Sequence, residues 1–180
     1  MSTQQLAIGQ DLPPFRGLPG TDGKPYSDSA FTGKVVVVVF SCNHCPYVQA
    51  YEERMVAFQK DYAGKSVQLV AINSNDVVNY PEDSFDKMKV RAAARRFNFP
   101  YLRDENQTVA NSFGATHTPQ FFVFDGERKL RYAGKFDDNW NEPRLVKEHF
   151  VRDAVDALLG KHEVKVAETF SIGCTIKWRA

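Results

Sequence analysis

The chain has 180 residues, 43% hydrophobic and 25% charged, enough apolar material for one sizeable core. A formal net charge of +1 without a long basic run excludes the electrostatic footprint of a nucleic-acid or acidic-lipid partner. Met1–Gln10 has no basic start, apolar stretch or small-residue cleavage site, and the five valines Val35–Val39 are far too few to cross a bilayer, so the sequence reads as cytoplasmic. Residues 11–30 are rich in Pro, Gly and Asp, and Asp22-Gly23 predicts a hairpin that covers a sheet edge. Val35 to Phe40 is an unbroken β-branched run, the pattern of a central strand buried on both faces. Tyr47, Tyr51, Met55, Phe58 and Tyr62 then recur at spacings of four and three, predicting an amphipathic helix that stops at Gly64, with Pro46 in its first turn. Val67 to Ile72 is the next strand, joined to the first by a right-handed parallel crossover.

Beyond the polar turn Asn73-Ser74-Asn75-Asp76, a second helix is expected over Pro81 to Arg96, with Phe85, Met88 and Ala92 on one face and Pro100 as its stop. A shorter helix over Asn106 to Phe113 closes at Gly114. Gln120 to Asp125 and Leu130 to Ala133 form an antiparallel pair around Gly126-Glu127. A last helix is expected over Pro143 to Leu159, capped by Gly160, with Phe150, Ala154, Ala157 and Leu158 inward. Val164, Val166, Phe170, Ile172, Ile176 and Trp178 are too many apolar residues for a disordered terminus, so 163–180 is expected to pack as a tail on a domain spanning 1–162.

The chemistry concentrates at Cys42-Asn43-His44-Cys45-Pro46, a Cys-x-x-Cys at a strand-to-helix junction. A helix N-terminus presents free N–H groups and partial positive charge, so a thiol in its first turn, here Cys42, is expected to fall from about 8.5 to roughly 3.5–7.5. Cys45, one turn on, is within disulfide reach. Half a zinc site also reads Cys-x-x-Cys, but the remaining cysteine, Cys174, has no second pair beside it, and so small a disulfide loop adds little stability. His44 between the cysteines can donate to a Cys42 thiolate and tune it, whereas His117 is either a second tuning group or a hydrogen-bonded loop residue. Cys174 is either a buried, inert thiol or a third redox thiol carried back by the tail.

The succession of elements, with Cys-x-x-Cys ending the first core strand and Thr118-Pro119 preceding the third, resembles the thioredoxin superfamily. Cys-Asn-His-Cys-Pro-Tyr, the Asn73-Ser74-Asn75-Asp76 turn and Gly173-Cys174-Thr175-Ile176-Lys177-Trp178 are similar to its redoxin, or peroxiredoxin-like, branch of the alkyl hydroperoxide reductase/thiol-specific antioxidant type. The resemblance implies an α/β thioredoxin-like fold: a central mixed sheet flanked by helices, with an N-terminal hairpin, an inserted helix and a C-terminal tail. It implies a cis bond before Pro119, with the Thr118 backbone offered to an extended substrate. The buried acid that many thioredoxins carry six residues before the first cysteine is Val36 here, so a base falls to Asp76, a histidine or water. The expected activity is thiol–disulfide exchange, Cys42 attacking and Cys45 resolving a mixed disulfide. Its partners are a protein or small-molecule disulfide and a cellular thiol reductant, and no cofactor or resident metal is expected. The alternative is a thiol peroxidase, against which stand Val35 and Val39 where that branch usually carries Pro and Thr or Ser. A copper or zinc carrier using Cys42, Cys45 and a histidine is the third reading.

Overall fold

The computed structural model describes residues 4–180; Met1–Thr3, the first residues of the stretch read for targeting, lie outside them. β1 (Leu18–Pro19) and β2 (Pro25–Tyr26) pair antiparallel around a turn in which Gly23 takes a positive φ of 84°. Gly20 bridges to Leu102, and the Thr21 N–H donates to the Tyr101 carbonyl, so this hairpin covers one edge of the main sheet. β3 (Val35–Phe40) is that sheet's centre, followed by α1 (Pro46–Tyr62) and β4 (Val67–Asn73), which runs parallel to β3. α2 (Phe85–Ala94), β5 (Tyr101–Arg103), α3 (Thr108–Phe113) and β6 (His117–Thr118) lead to β7 (Gln120–Phe124) and β8 (Leu130–Gly134). The five-stranded order is β5-β4-β3-β7-β8, with β4 and β5 parallel to β3 and β7 and β8 antiparallel to their neighbours. α4 (Phe150–Leu159) and β9 (Cys174–Thr175) complete the described elements.

Alternation along β3 divides the core in two. Val35, Val37 and Val39 face a layer built with Tyr51, Met55, Phe58, Met88 and Val151, while Val36, Val38 and Phe40 face Phe113, Phe122, Phe124 and Ile176. Each buried valine contributes about 1.5–3 kcal/mol of transfer free energy, so the continuous valine run commits β3 to the centre. No helix among the described residues is long and apolar enough to cross a membrane.

Three expectations change. The helix expected from Pro81 is a 3-10 turn, Pro81–Asp83, separated from α2 because Ser84 turns extended and its hydroxyl accepts the Lys87 N–H as a cap. The helix expected from Pro143 keeps only one turn, Pro143–Leu145. The Asp138 carboxylate accepts the Lys147 N–H and the Asp138 N–H donates to the Glu148 carbonyl, drawing this segment away until Phe150; Val151, Ala154 and Val155 are buried, and Phe150 and Leu158 pack partly buried against the same layer. The tail holds on with far less apolar burial than its composition suggests: Ile176 is 4% exposed, but Phe170 is 93%, Ile172 44% and Trp178 42% exposed. Its attachment is polar. Ala167 and Thr169 hydrogen-bond to Ala133 on β8, and Lys177 and Arg179 bond to Asn75 and Gln107 on the far side of the sheet's end.

Candidate active site

β3 ends at Phe40, and the chain crosses the sheet's end through Ser41, whose N–H donates to Ile72. α1 starts at Pro46 with Cys45 as its N-cap, so Cys42 lies on the loop before the helix rather than in its first turn, and His44 does too. The missing N–H of Pro46 costs nothing at that position. Opposite the thiols stands Thr118 on β6, joined to Pro119 by a cis peptide bond. The Cys42 sulfur is 3.5 Å from the Thr118 hydroxyl, and the Cys45 sulfur is 3.4 Å from the Thr118 carbonyl oxygen. From the tail, Cys174 brings its sulfur to 2.7 Å from that of Cys45; all three cysteines are free.

The electrostatics reverse the expectation for Cys42. Its thiol is pushed far above the ordinary range, first because it donates to the Cys45 sulfur, then by burial and by the negative charge of Asp83. Cys45 is drawn down to about 4, chiefly by that Cys42 hydrogen bond; burial opposes it, while Cys174 and the N–H groups of Val48 and Cys174 assist. Cys174 is pushed up to about 11 by burial and by its bond to Cys45. The physical reason is position: Cys45, at the N-cap, meets the helix N–H groups and two neighbouring thiols, whereas Cys42 has a carboxylate for company.

That carboxylate, Asp83, gave no signal in the sequence. It is fully buried beneath the loop, accepting from the Asn43 N–H at 2.7 Å, Asn73 at 3.2 Å and Asn75 at 3.0 Å. His44 Nδ1 lies 2.7 Å from its Oδ2, at an angle poor for a linear hydrogen bond, so His44 is set against Asp83. Atoms of Cys42, His44 and Asp83 lie within 4.8 Å of one another, the ligand types of a zinc or copper ion. Three N–H donors already fill most of the carboxylate's acceptor sites, which suits an orienting group better than a ligand. His117 is not brought to the sulfurs: its Nδ1 pairs with the Thr116 hydroxyl at 2.8 Å. Asp76 is likewise spent on its own turn, accepting from Val78 and Asn79.

A sequence comparison with curated proteins finds no match. Solved structures do match. A hypothetical protein from Sinorhizobium meliloti is 37% identical over 99% of this chain and 98% of its own, with a TM-score of 0.91. An uncharacterized conserved protein from Geobacillus kaustophilus is 39% identical over 99% of this chain and 96% of its own, again at 0.91. A Chlorobium tepidum structure provisionally named thiol:disulfide interchange protein DsbE is 25% identical, covering 72% of this chain and 85% of its own, at 0.63. The thiols, the cis-proline loop and the central mixed sheet thus sit in a thioredoxin-like frame shared with redox proteins. Since the AhpC/TSA family model also matches residues 8–133, most of the sheet and both buried cysteines included, the chain belongs to the AhpC/TSA family of redoxins.

Proposed function

We propose that this redoxin is a thiol–disulfide oxidoreductase whose working pair is Cys42 and Cys45. The observation that carries the reading is the convergence of both sulfurs on Thr118, the residue before cis-Pro119: Cys42 lies 3.5 Å from its hydroxyl and Cys45 3.4 Å from its carbonyl, and the electrostatics set one thiol of the pair high and the other low. With the proton on Cys42, the charge rests on Cys45. Transfer along the hydrogen bond reverses this: Cys45 becomes the thiol that donates to the Thr118 carbonyl, and Cys42 the thiolate that accepts from the Thr118 hydroxyl. In that second state Cys42 attacks a substrate disulfide, one thiolate leaves, and Cys45 resolves the mixed disulfide by displacing the other. A peroxidase reading lacks the hydroxyl expected at position 39, where Val39 is buried and apolar.

The test compares a protein disulfide with a hydroperoxide under one reductant, together with single cysteine variants. Cys45→Ser is expected to trap mixed disulfides, and Cys42→Ser to trap none. Turnover of the peroxide without disulfide exchange would overturn the reading.

A further inference from the structure

β6, the two-residue strand before cis-Pro119, is not free. β9 pairs with it antiparallel, His117 opposite Thr175 and Thr118 opposite Cys174. The tail therefore occupies the backbone position that the proposed function reserves for an extended substrate. Gly173 makes that approach possible, because a Cβ there would stand 2.0 Å from the Thr118 carbonyl oxygen. The seating is anchored on both sides by hydrogen bonds: Thr169 to Ala133, Tyr132 and Lys135 before it, and Lys177 to Asn75, Asp76 and Gln107 after it. Asn75 also donates to Asp83, so the tail is tied into the cluster beneath Cys42.

We propose that the tail is the site's own first substrate: Cys174 is a third redox thiol that exchanges a disulfide with Cys45 and relays electrons between the buried pair and disulfides outside. The inference rests on Cys42 and Cys45 being the working pair; with the tail seated on β6, an outside disulfide enters through Cys174 and Cys45, and Cys42 closes the pair. Geometry carries it in two ways. The Cys45 and Cys174 sulfurs, 2.7 Å apart, need little further approach to reach the S–S bond length of about 2.05 Å. Accessibility points the same way: Cys42 and Cys45 are 2% and 0% exposed, whereas Cys174 is half-buried, the sulfur an outside disulfide meets first.

The steps balance with an outside disulfide R–S–S–R as oxidant. Cys174, losing its proton to solvent, attacks one sulfur; a Cys174–S–R bond forms and one R–S⁻ leaves. The Cys45 thiolate attacks the Cys174 sulfur, forming Cys45–Cys174 and expelling the second R–S⁻. Cys42 then gives up its proton and attacks the Cys45 sulfur, closing Cys42–Cys45 and returning Cys174 as a thiolate that takes up a proton. Two protein thiols have been oxidised and one disulfide reduced to two R–SH. With a reductant outside, the same bonds form and break in reverse, the outside thiolate attacking the exposed Cys174 sulfur.

The test is a time course of the full, reduced chain mixed with oxidised glutathione, quenched by acid and alkylation, and mapped for disulfides by mass spectrometry. Cys45–Cys174 is expected before Cys42–Cys45, and it should accumulate in Cys42→Ser. Cys174→Ser and, as a control on the hydroxyl, Cys174→Ala should slow oxidation of the buried pair by roughly tenfold or more, the loss of a thiol held at millimolar or higher effective concentration. If Cys42–Cys45 is the only disulfide formed and both Cys174 variants oxidise at the wild-type rate, the relay is overturned while the proposed oxidoreductase stands. If no disulfide forms on Cys42 or Cys45 at all, both readings fall.

Discussion

At the scale of single residues, the site is governed by where one negative charge rests. Cys45 receives hydrogen bonds from Cys42 and Cys174 and lies at the head of α1, while Cys42 faces the buried Asp83 carboxylate. An ultraviolet thiolate titration of the reduced protein should therefore show one thiolate forming near pH 4, absent in Cys45→Ala. Asp83→Asn should bring the Cys42 thiol down, since it removes one of the causes holding it up. A Cys42 titration unchanged in that variant would remove Asp83 from the tuning. The same charge is linked to stability. Cys45 has a lower pKa folded than the unfolded value of about 8.5, so its contribution is full above that pH and is lost as pH falls toward about 4. Cys42, raised, is protonated in both states over this window and adds no slope. Urea unfolding of reduced wild type against Cys45→Ala should show the wild-type advantage shrinking from pH 8 to pH 5; an advantage independent of pH would contradict the assignment.

At the scale of elements, what matters is where α1 begins and what lies against β6. The Cys-x-x-Cys spacing located the strand-to-helix junction but not the register of its first turn. Pro46 marks N1, so the cap is Cys45 and the tuning passes to the second cysteine. Asp83 has no signal of this kind, because nothing in Pro81-Glu82-Asp83 distinguishes a surface turn from a buried carboxylate; only the parallel pairing of β3 and β4, which ends both strands at one edge, puts Asn43, Asn73 and Asn75 around it. β5 is not legible in the sequence for a similar reason, being three residues whose strand character comes from pairing with β4 rather than from its own pattern. For β9, the residue that decides is Gly173. Gly173→Ala places a methyl group 2.0 Å from the Thr118 carbonyl oxygen, which the β6–β9 pair cannot accommodate. Amide exchange at Ile176, whose N–H donates to the Thr116 carbonyl beside this pair, should accelerate in this variant by about tenfold or more, equivalent to about 1.4 kcal/mol or more of lost local protection. Unchanged protection would mean that the pairing tolerates a side chain there.

At the scale of the whole molecule, the sheet order follows from a few strong signals, while the tail's mode of attachment does not. Five consecutive valines can only be a strand covered on both faces, and the α1 stripe of Tyr51, Met55, Phe58 and Tyr62 can only face it. Val164, Val166, Phe170, Ile172, Ile176 and Trp178 promised a hydrophobic anchor for the tail, yet among those six only Ile176 is fully withdrawn from water, and much of the remaining hold is hydrogen bonds between backbone groups and through the Asn75, Gln107 and Thr169 side chains. Burying one isoleucine is worth about 1.5–3 kcal/mol, and a typical hydrogen bond adds about 0.5–1.5. Of residues 172–180 only Ile176 enters a hydrophobic layer, the one it shares with Phe40, Phe113 and Phe122, and both layers otherwise close around β3 without this stretch. Removing 172–180 should therefore lower the melting temperature by only several degrees, at about 2–4 °C per kcal/mol for a chain of this size, with unfolding still cooperative. The buried pair should at the same time become open to alkylation and to protein disulfides, because the backbone of Thr118 is released. A truncated chain that unfolds without a cooperative transition would show instead that the strap is part of the core, and that the thiols are sealed by the fold itself.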